Sequence, residues 1–191
     1  MEKELIKEIM EEWEKRQREH EIARYKDEIE AFRSWHSEEA KCKIISNIRS
    51  LNRLGVTGID LLACHLENAR LENIKLAGGN LFRANLRNAK LIKADLRRVC
   101  SSYADLEGSC LHDSNLEGSD FLETNFQKAD LRGVNMKGAI FMDTDFREAE
   151  GLTVEQLSLA KTLFMSRFDP GLNGELMKRY PGLFTHPDLQ K

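Results

Sequence analysis

The chain contains few side chains of the kinds that perform catalysis or bind metal, and their spacing forms no known site. Its five histidines are scattered, and its four cysteines include no C-x-x-C pair. Cys110, His112 and Asp113 lie close together, but their spacing matches no structural zinc site. The sequence also has no phosphate-loop, dinucleotide-binding, nucleophile-elbow or zinc-protease motif. We therefore predict no catalytic residue, no metal, no cofactor and no small-molecule substrate.

Composition and charge exclude further classes of protein. Of the 191 residues, 41% are hydrophobic and 32% are charged, and the three prolines all lie at or beyond Pro170, so the chain is not of the disordered type. The net charge of −3 gives no reason to expect a nucleic-acid partner. No apolar run approaches the roughly 20 residues that cross a bilayer, and no signal peptide is present. We predict a cytoplasmic protein with free thiols and no membrane span.

The elements that position the side chains follow a period of five residues. From Ile59 to Glu148 the chain repeats in fives without insertion or deletion. The central position of each five, here called the pivot, is large and apolar in seventeen of the eighteen repeats between Leu61 and Phe146. Ser101 is the exception. A mostly small residue stands two positions before each pivot, and Asp or Asn often stands between them.

This period suits neither an α-helix nor a straight strand. Five residues of helix advance about 500°, so the pivots would spiral around every face. An odd period along a strand would send alternate pivots to opposite faces. A closed coil that turns a corner every five residues keeps all pivots inside. We therefore predict four-sided coils of twenty residues, stacked about 4.8 Å apart.

The stretches FRANLRNAKLIKADL and YADLEGSCLHDSNLEGSDF resemble the A(D/N)LXX repeats of the pentapeptide-repeat family. The resemblance covers residues 59–148. It implies an all-β solenoid core, a right-handed quadrilateral parallel β-helix of about four and a half coils. In that fold Phe121 stacks on Phe141 and Phe126 stacks on Phe146. The hydroxyl of Ser101 is expected to bond to a neighbouring backbone group.

One face of the predicted coil carries an apolar stripe. The first outward position after the pivot on this face is apolar in four of five coils, whereas the neighbouring face has charged or amide side chains there. Contiguous exposed apolar surface marks a contact, so either the N-terminal helices or another chain should cover the stripe. We predict partner binding for these residues: Leu62, Phe82, Tyr103, Leu122, Ile140 and Met142.

We divide the chain into residues 1–55, 56–150 and 151–191. The first part contains charged amphipathic helices, an α-helical N-terminal arm followed by a capping helix from near Ser37 to Gly55. The arm has two apolar stripes, one at Ile6, Ile9, Met10 and Trp13 and one at Ile22, Tyr25, Ile29 and Phe32. The arm is longer than the coil stack, so it must bend back, project or pair with another chain. We assign Trp13 to partner binding.

The last part is predicted to be an α-helical C-terminal cap and tail. Thr153 and Gln156 have the spacing of a capping box, which predicts a helix from about Val154 to Phe164. Asp169 before Pro170 predicts a second helix start, and that helix should stop before Pro181.

These features predict a non-catalytic bacterial scaffold that binds a protein partner or a second copy as a homodimer. One alternative is a DNA-mimicking, gyrase-binding protein of the quinolone-resistance type; another is a bacterial secreted effector. A DNA mimic needs a strongly acidic rod, because DNA carries one negative charge per about 1.7 Å. Here residues 59–103 have a net charge of +4 (eight basic, four acidic) and residues 104–148 one of −6 (four basic, ten acidic).

Overall fold

The computed structural model describes residues 2–186 and 188. Two helices, α1 (Glu2–Phe32) and α2 (Glu38–Arg53), precede the repeats. Two short helices, α3 (Val154–Ser158) and α4 (Pro170–Arg179), follow them, and a 3-10 turn covers Pro181–Phe184. Among the described helices, none is both long and apolar enough to span a membrane.

The repeats form a four-sided coil. Parallel bridges join residues twenty apart, from Asp60 with Asn80 through to Asp130 with Glu150. Each bridge is isolated, so the coil contains single paired residues and turns rather than extended strands. The ladder bonds are short: the Leu61 amide donates to the Asn80 carbonyl at 2.7 Å, and the Asn80 amide donates to the Ile59 carbonyl at 3.0 Å. Twenty residues hold four repeats, which is the coil predicted from the sequence.

Each corner is a tight turn with a residue of positive φ. In the first corner the Cys64 amide donates to the Leu61 carbonyl at 3.0 Å, and Ala63 has φ 52°. Asn and Gly occupy this position in several repeats, such as Asn68 and Gly78, because they tolerate the left-handed region. Other residue types cost roughly 1–2 kcal/mol there. The ladder offsets that cost, since the Ala63 amide itself donates to the next coil.

The coil interior is filled by the pivots, as predicted. All four phenylalanine pivots are buried. The rings of Phe121 and Phe141 stack with centroids 5.5 Å apart, and those of Phe126 and Phe146 stack at 5.3 Å. Both predicted pairs are confirmed. Phe168 extends the second stack, with its ring 5.2 Å from that of Phe146.

The prediction for Ser101 is wrong. Its side chain is fully buried, but its Oγ has no hydrogen-bond partner among the described residues. The Ser101 amide donates to the Asp120 carbonyl in the ladder, and the Ser101 carbonyl accepts a hydrogen bond from the Thr124 hydroxyl. Its Oγ points, like the other pivot side chains, into the apolar interior. By contrast, Ser109 stands two positions before a pivot, and its Oγ donates to the Leu106 carbonyl at 2.7 Å.

Helix α2 seals the first coil, as the sequence predicts. Ser37 is its N-cap and accepts a hydrogen bond from the Ala40 amide. Its inner face buries three large apolar side chains completely: Ile44, Ile48 and Leu51. Gly55, with φ 79°, follows the C-cap residue Leu54.

Side chains of α2 also satisfy the open backbone edge of the first coil. The Asn52 amide group donates to the Lys75 carbonyl at 2.7 Å, and its oxygen accepts from the Lys75 amide at 2.8 Å. Arg49 donates to the Arg70 carbonyl at 2.9 Å. These bonds replace the ladder partners that a preceding coil would supply, so the edge offers less for another strand to pair with.

At the other end, α3 is shorter than predicted and the coil continues beyond it. The capping box of Thr153 and Gln156 is present, but the helix ends at Ser158. Thr162 then bridges Ile140, and Arg167 bridges Asp145, which adds about half a coil. The existing coil offers ladder bonds and a buried stack to this segment, and those outweigh continuation of a helix.

Helix α4 starts and stops where predicted, between Asp169 and Pro181. However, the Asp169 side chain does not cap its own helix. Its carboxylate oxygens accept the Glu148 amide at 3.2 and 3.3 Å, so they close a corner of the coil instead.

Candidate functional site

The predicted apolar stripe lies on the outside of the coil, apart from the packed interior. Tyr103 is 41% exposed, and the other residues are half-buried: Leu62, Phe82, Leu122, Ile140 and Met142. None of them belongs to the core cluster of the described residues. Ser102 occupies the same column and is buried. The stripe is therefore a set of partly exposed side chains, densest around Phe82 and Tyr103.

Phe82 and Tyr103 form an aromatic contact with an arginine over it. Their rings meet edge to face with centroids 5.3 Å apart. The Arg83 guanidinium carbon lies 5.2 Å from the Phe82 centroid and 5.8 Å from that of Tyr103, within cation–π range. The neighbouring Glu123 carboxylate raises the pKa of the Tyr103 hydroxyl. This cluster combines ring faces, a cation and a hydroxyl in one exposed patch.

Helix α1 contains a docked half, residues 18–32, which packs on α2. Ile29 is 1% exposed there, and three further apolar residues pack against the core: Ile22, Tyr25 and Phe32. Glu28 accepts a hydrogen bond from Asn47 at 3.1 Å and pairs with Lys43 at 3.1 Å. The hydrogen bond from Lys43, and after it the one from Asn47, lower the pKa of the Glu28 carboxyl, while its partial burial acts in the opposite direction. Arg18 donates to the Leu54 carbonyl at 2.6 Å and so contacts the C-cap residue of α2.

The free half of α1, residues 4–17, has no tertiary contact of this kind. Every residue from 4 to 20 is exposed. Five large apolar side chains on it, here called the free-half row, are between 50% and 57% exposed: Leu5, Ile6, Ile9, Met10 and Trp13. Since these residues are exposed, the free half does not cover the coil stripe. From the sequence, this helix could bend back, project or pair with another chain. In the structure it projects.

The two apolar sets of α1 point in nearly opposite directions. At about 100° per residue, the free-half row and the docked apolar residues lie roughly 150° apart around the helix axis. The face that packs on α2 therefore does not continue into the free half. Extending α2 would not cover the free-half row.

A groove of about 830 Å³ lies between α2 and the first coil. Its floor contains Ile45, Ala69 and Ile74. Three arginines line it, and within the described chain none has a carboxylate partner: Arg49, Arg53 and Arg70. Cys42 also lines the groove and is exposed. Ala69 and Ile74 are already buried, so Ile45 is the partly exposed apolar residue of the floor. Glu38, Lys41 and Glu72 also line the groove, and the charge of its lining is net positive.

Two histidines that are far apart in sequence meet at the base of the helices. His36, between α1 and α2, and His65, on the first coil, bring their Nε2 atoms to 2.5 Å. Partial burial lowers the pKa of His65, and the charge of His36 adds to that effect. The contact joins the helical part to the coil near the ion pair of Arg33 with Asp60 at 2.9 Å.

The side chains considered for metal binding do not converge. Cys110 Sγ contacts Asp130 Oδ2 at 3.6 Å, whereas His112 Nε2 pairs with Asp113 Oδ2 at 3.3 Å. The Arg132 guanidinium donates two hydrogen bonds to the Asp130 carboxylate. These bonds are the main reason why the pKa of this carboxyl is lowered to about 2. Over residues 2–186 and 188, no three potential ligands gather around one point.

The repeats match a known family. The family model for pentapeptide repeats matches residues 64–100 and 102–138, in eight copies. The matched residues are therefore pentapeptide repeats, as the sequence indicated. Members of this family fold as right-handed quadrilateral β-helices and are generally non-enzymatic structural or interaction proteins. No curated protein sequence matches the chain.

Several solved structures are similar to this chain. A pentapeptide repeat protein from Nostoc is 25% identical, with 65% of this chain and 94% of that chain covered and a TM-score of 0.49. HetL, involved in heterocyst differentiation regulation in Nostoc, is 30% identical over 59% of this chain and 58% of its own, with a TM-score of 0.31. QnrB1, a plasmid-mediated fluoroquinolone resistance protein, is 16% identical over 68% and 84%, with a TM-score of 0.27.

Sequence reasoning missed the groove and the histidine contact, since both join segments that are distant in sequence. It also missed the added half-coil, for which a signal exists. Leu163 and Phe168 are five residues apart, and Ser166 is a small residue two positions before Phe168. An interrupted repeat of that kind is detectable once the insertion of α3 is allowed for.

Proposed function

We propose that this protein is a non-catalytic scaffold that binds another protein chain through the free half of α1 and the coil stripe. The free-half row carries the proposal. An isolated helix of this length is only marginally stable in water, and most helices owe their stability to packing of an apolar face. Burial of a large apolar side chain is worth roughly 1.5–3 kcal/mol, so a partner that covers five of them gains considerable free energy.

The coil stripe supports the same function at a second place. The Phe82–Tyr103–Arg83 cluster combines residue types that are enriched in interface hot spots, namely Tyr and Arg beside a large apolar ring. The repeats hold the three side chains on a rigid frame, so they lose little conformational freedom on binding. The coil also has an interior packed with side chains, which leaves a substrate only the outer surface.

The charge distribution gives less support to DNA mimicry. The first half of the repeats has a net charge of +4 and the second half one of −6, whereas a duplex is uniformly negative. The basic groove beside α2 adds to the positive end. We therefore place protein binding first, and the cytoplasmic location stays a prediction.

Photo-crosslinking in the native cells tests the role of the free half. A photoreactive phenylalanine analogue at position 13 should give a discrete crosslinked product that contains a second protein chain. The same analogue at position 15, on the opposite face of the helix, is the matched control and should give little or none. Equal products from both positions, or none from position 13, would refute binding through the free-half row.

Paired substitutions test the coil stripe. Phe82→Glu together with Leu122→Glu should reduce capture of the crosslinked partner at least tenfold while the far-ultraviolet CD spectrum stays unchanged. Lys137→Glu, on an exposed position of another face, is the control for an added negative charge. Loss of the CD signal would mean that the stripe belongs to the folded core and is not a binding surface.

A further inference from the structure

The free-half row and the groove beside α2 are two uncovered surfaces of complementary character on one chain. Between residues 4 and 14 the helix carries five glutamates and one lysine beside its apolar row. The groove is lined by four basic side chains, three of them arginines without carboxylate partners among the described residues, and by two acidic ones, Glu38 and Glu72, so its lining is net positive. Elsewhere in the chain some arginines, such as Arg87 and Arg132, bind a carboxylate within 3.1 Å, but three together without such a partner lie at the groove. An acidic amphipathic helix is therefore the class of ligand that fits the groove.

The groove cannot receive the free half of its own chain while α1 stays a continuous helix. Lys43 and Asn47 contact α1, whereas Ile45 and Arg49 line the groove. Each pair is two residues apart, so α1 and the groove lie about 200° apart around α2. The free half also leaves the body of the protein at Arg18, beyond the end of α2. A second copy can place its free half in the groove from outside while its own α1 stays a continuous helix.

We infer that the free half of α1 of one chain docks in the groove of a second chain, and that two chains exchange these helices symmetrically. In this dimer the free-half row packs over Ile45, above the buried Ala69 and Ile74, and the glutamates approach the arginines. Two-fold exchange makes the same contact twice and leaves no unpaired copy of either surface. The inference rests on the proposed function, since it names the chain that the free half binds.

Site-specific crosslinking uses the native thiol in the groove. In a chain with Cys100→Ser and Cys110→Ser, Met10→Cys should form a disulfide with Cys42 of another chain on mild oxidation. The covalent dimer should vanish with Cys42→Ser. Glu11→Cys, about 100° around the helix from Met10 and opposite the centre of the free-half row, should give less than a tenth of the product. Equal yields from the two positions, no product, or a crosslink within one chain would overturn the inference.

Solution mass provides an independent measurement that does not depend on added thiols. Light scattering should give twice the chain mass of 22.0 kDa. Trp13→Glu and Arg53→Glu should each raise the dimer dissociation constant at least tenfold. Their controls, Lys15→Glu on the opposite face of α1 and Lys137→Glu on the coil, should stay dimeric. A mass of 22.0 kDa for the unmodified chain would overturn the inference.

The two proposals fail in distinguishable ways. If the chain is a monomer but position 13 crosslinks to a different protein in cells, the scaffold function stands and the exchange is wrong. If a monomer instead retards a DNA duplex in a gel, and Arg49→Glu abolishes that shift, the groove is a nucleic-acid site and the exchange is wrong. If position 13 crosslinks to nothing, the scaffold function itself is wrong.

Discussion

The two halves of α1 carry similar apolar content, yet one is covered and the other is exposed. Ile29 in the docked half is 1% exposed, whereas Ile9 in the free half is 57% exposed. Both belong to one uninterrupted helix of 31 residues, about 46 Å long. The difference comes from α2, which has 16 residues and ends near Arg18. The partner helix, rather than the apolar residues of α1, decides which half packs within the chain.

The direction of an exposed apolar row around its helix shows whether the row continues an existing contact. A row on the same face as the docked residues would suggest a helix pair that is merely incomplete. Here the free-half row points roughly 150° away from the docked face, at about 100° per residue. It is therefore not a continuation of the contact with α2, and its residues should contribute little to folding of the monomer. Under the proposed function they contribute to binding instead.

The largest expected effect separates these two roles. Ile29→Ala should lower the free energy of unfolding by about 2–4 kcal/mol, because it removes a fully buried side chain from the contact between α1 and α2. Ile9→Ala should change it by less than about 0.5 kcal/mol, as at other exposed sites. Urea titration of both variants, at concentrations where the chain is a monomer, measures the difference. Equal losses would show that the free half also packs within its own chain.

A second substitution extends the comparison from exposed apolar side chains to a buried hydroxyl that has no hydrogen-bond partner among the described residues. Ser101→Ala should raise the free energy of unfolding by about 1 kcal/mol, since it removes a buried hydroxyl that has no partner among the described residues. Ser109→Ala is the matched control and should lower it, because the Ser109 hydroxyl is bonded to the Leu106 carbonyl. Thermal unfolding of both variants distinguishes them by sign. Destabilisation by Ser101→Ala would indicate that the hydroxyl is bonded after all.

The smallest expected effect concerns pH. Glu28 in the docked half has a pKa below its ordinary value of 4.5, mainly because it accepts from Lys43 and Asn47. Its charged form therefore stabilises the fold above pH 4.5, and this contribution is lost as pH falls through the lowered pKa. Glu28→Gln should unfold slightly more easily at neutral pH, with a difference from the unmodified chain that shrinks in acid. A difference that stays constant down to pH 2 would mean that the carboxyl charge is not involved.

The coil was largely predictable because its information is local and repeated. Each repeat specifies its own pivot and corner, so the coil, the stacked phenylalanines and the solvated neighbouring face follow from the period alone. The α2 cap was also predictable, since Ser37 and Gly55 carry local start and stop signals. The length of α3 was not predictable, because residues beyond Ser158 pair with the coil instead of continuing the helix. Thr162 bridges Ile140, and Arg167 bridges Asp145.

For the candidate site, sequence reasoning identified the side chains but not their surroundings. Trp13 and Phe82 were recognised as apolar residues in outward positions, and the structure places both at least partly in solvent. The groove depends on how α2 lies across the first coil, which no local pattern encodes. The orphan hydroxyl of Ser101 likewise depends on which backbone groups the neighbouring coils have already taken.

The sequence by itself determined the period of the coil, the identity of its interior and the helices at its ends, because these depend on alternation and capping over a few residues. Only the tertiary structure decided which apolar residues are covered. Coverage depends on the length and placement of a neighbouring element, and α2 reaches Arg18 and no further. The same placement leaves the groove open on the other side of α2. The length and position of α2 therefore account for both exposed features, the free-half row and the groove.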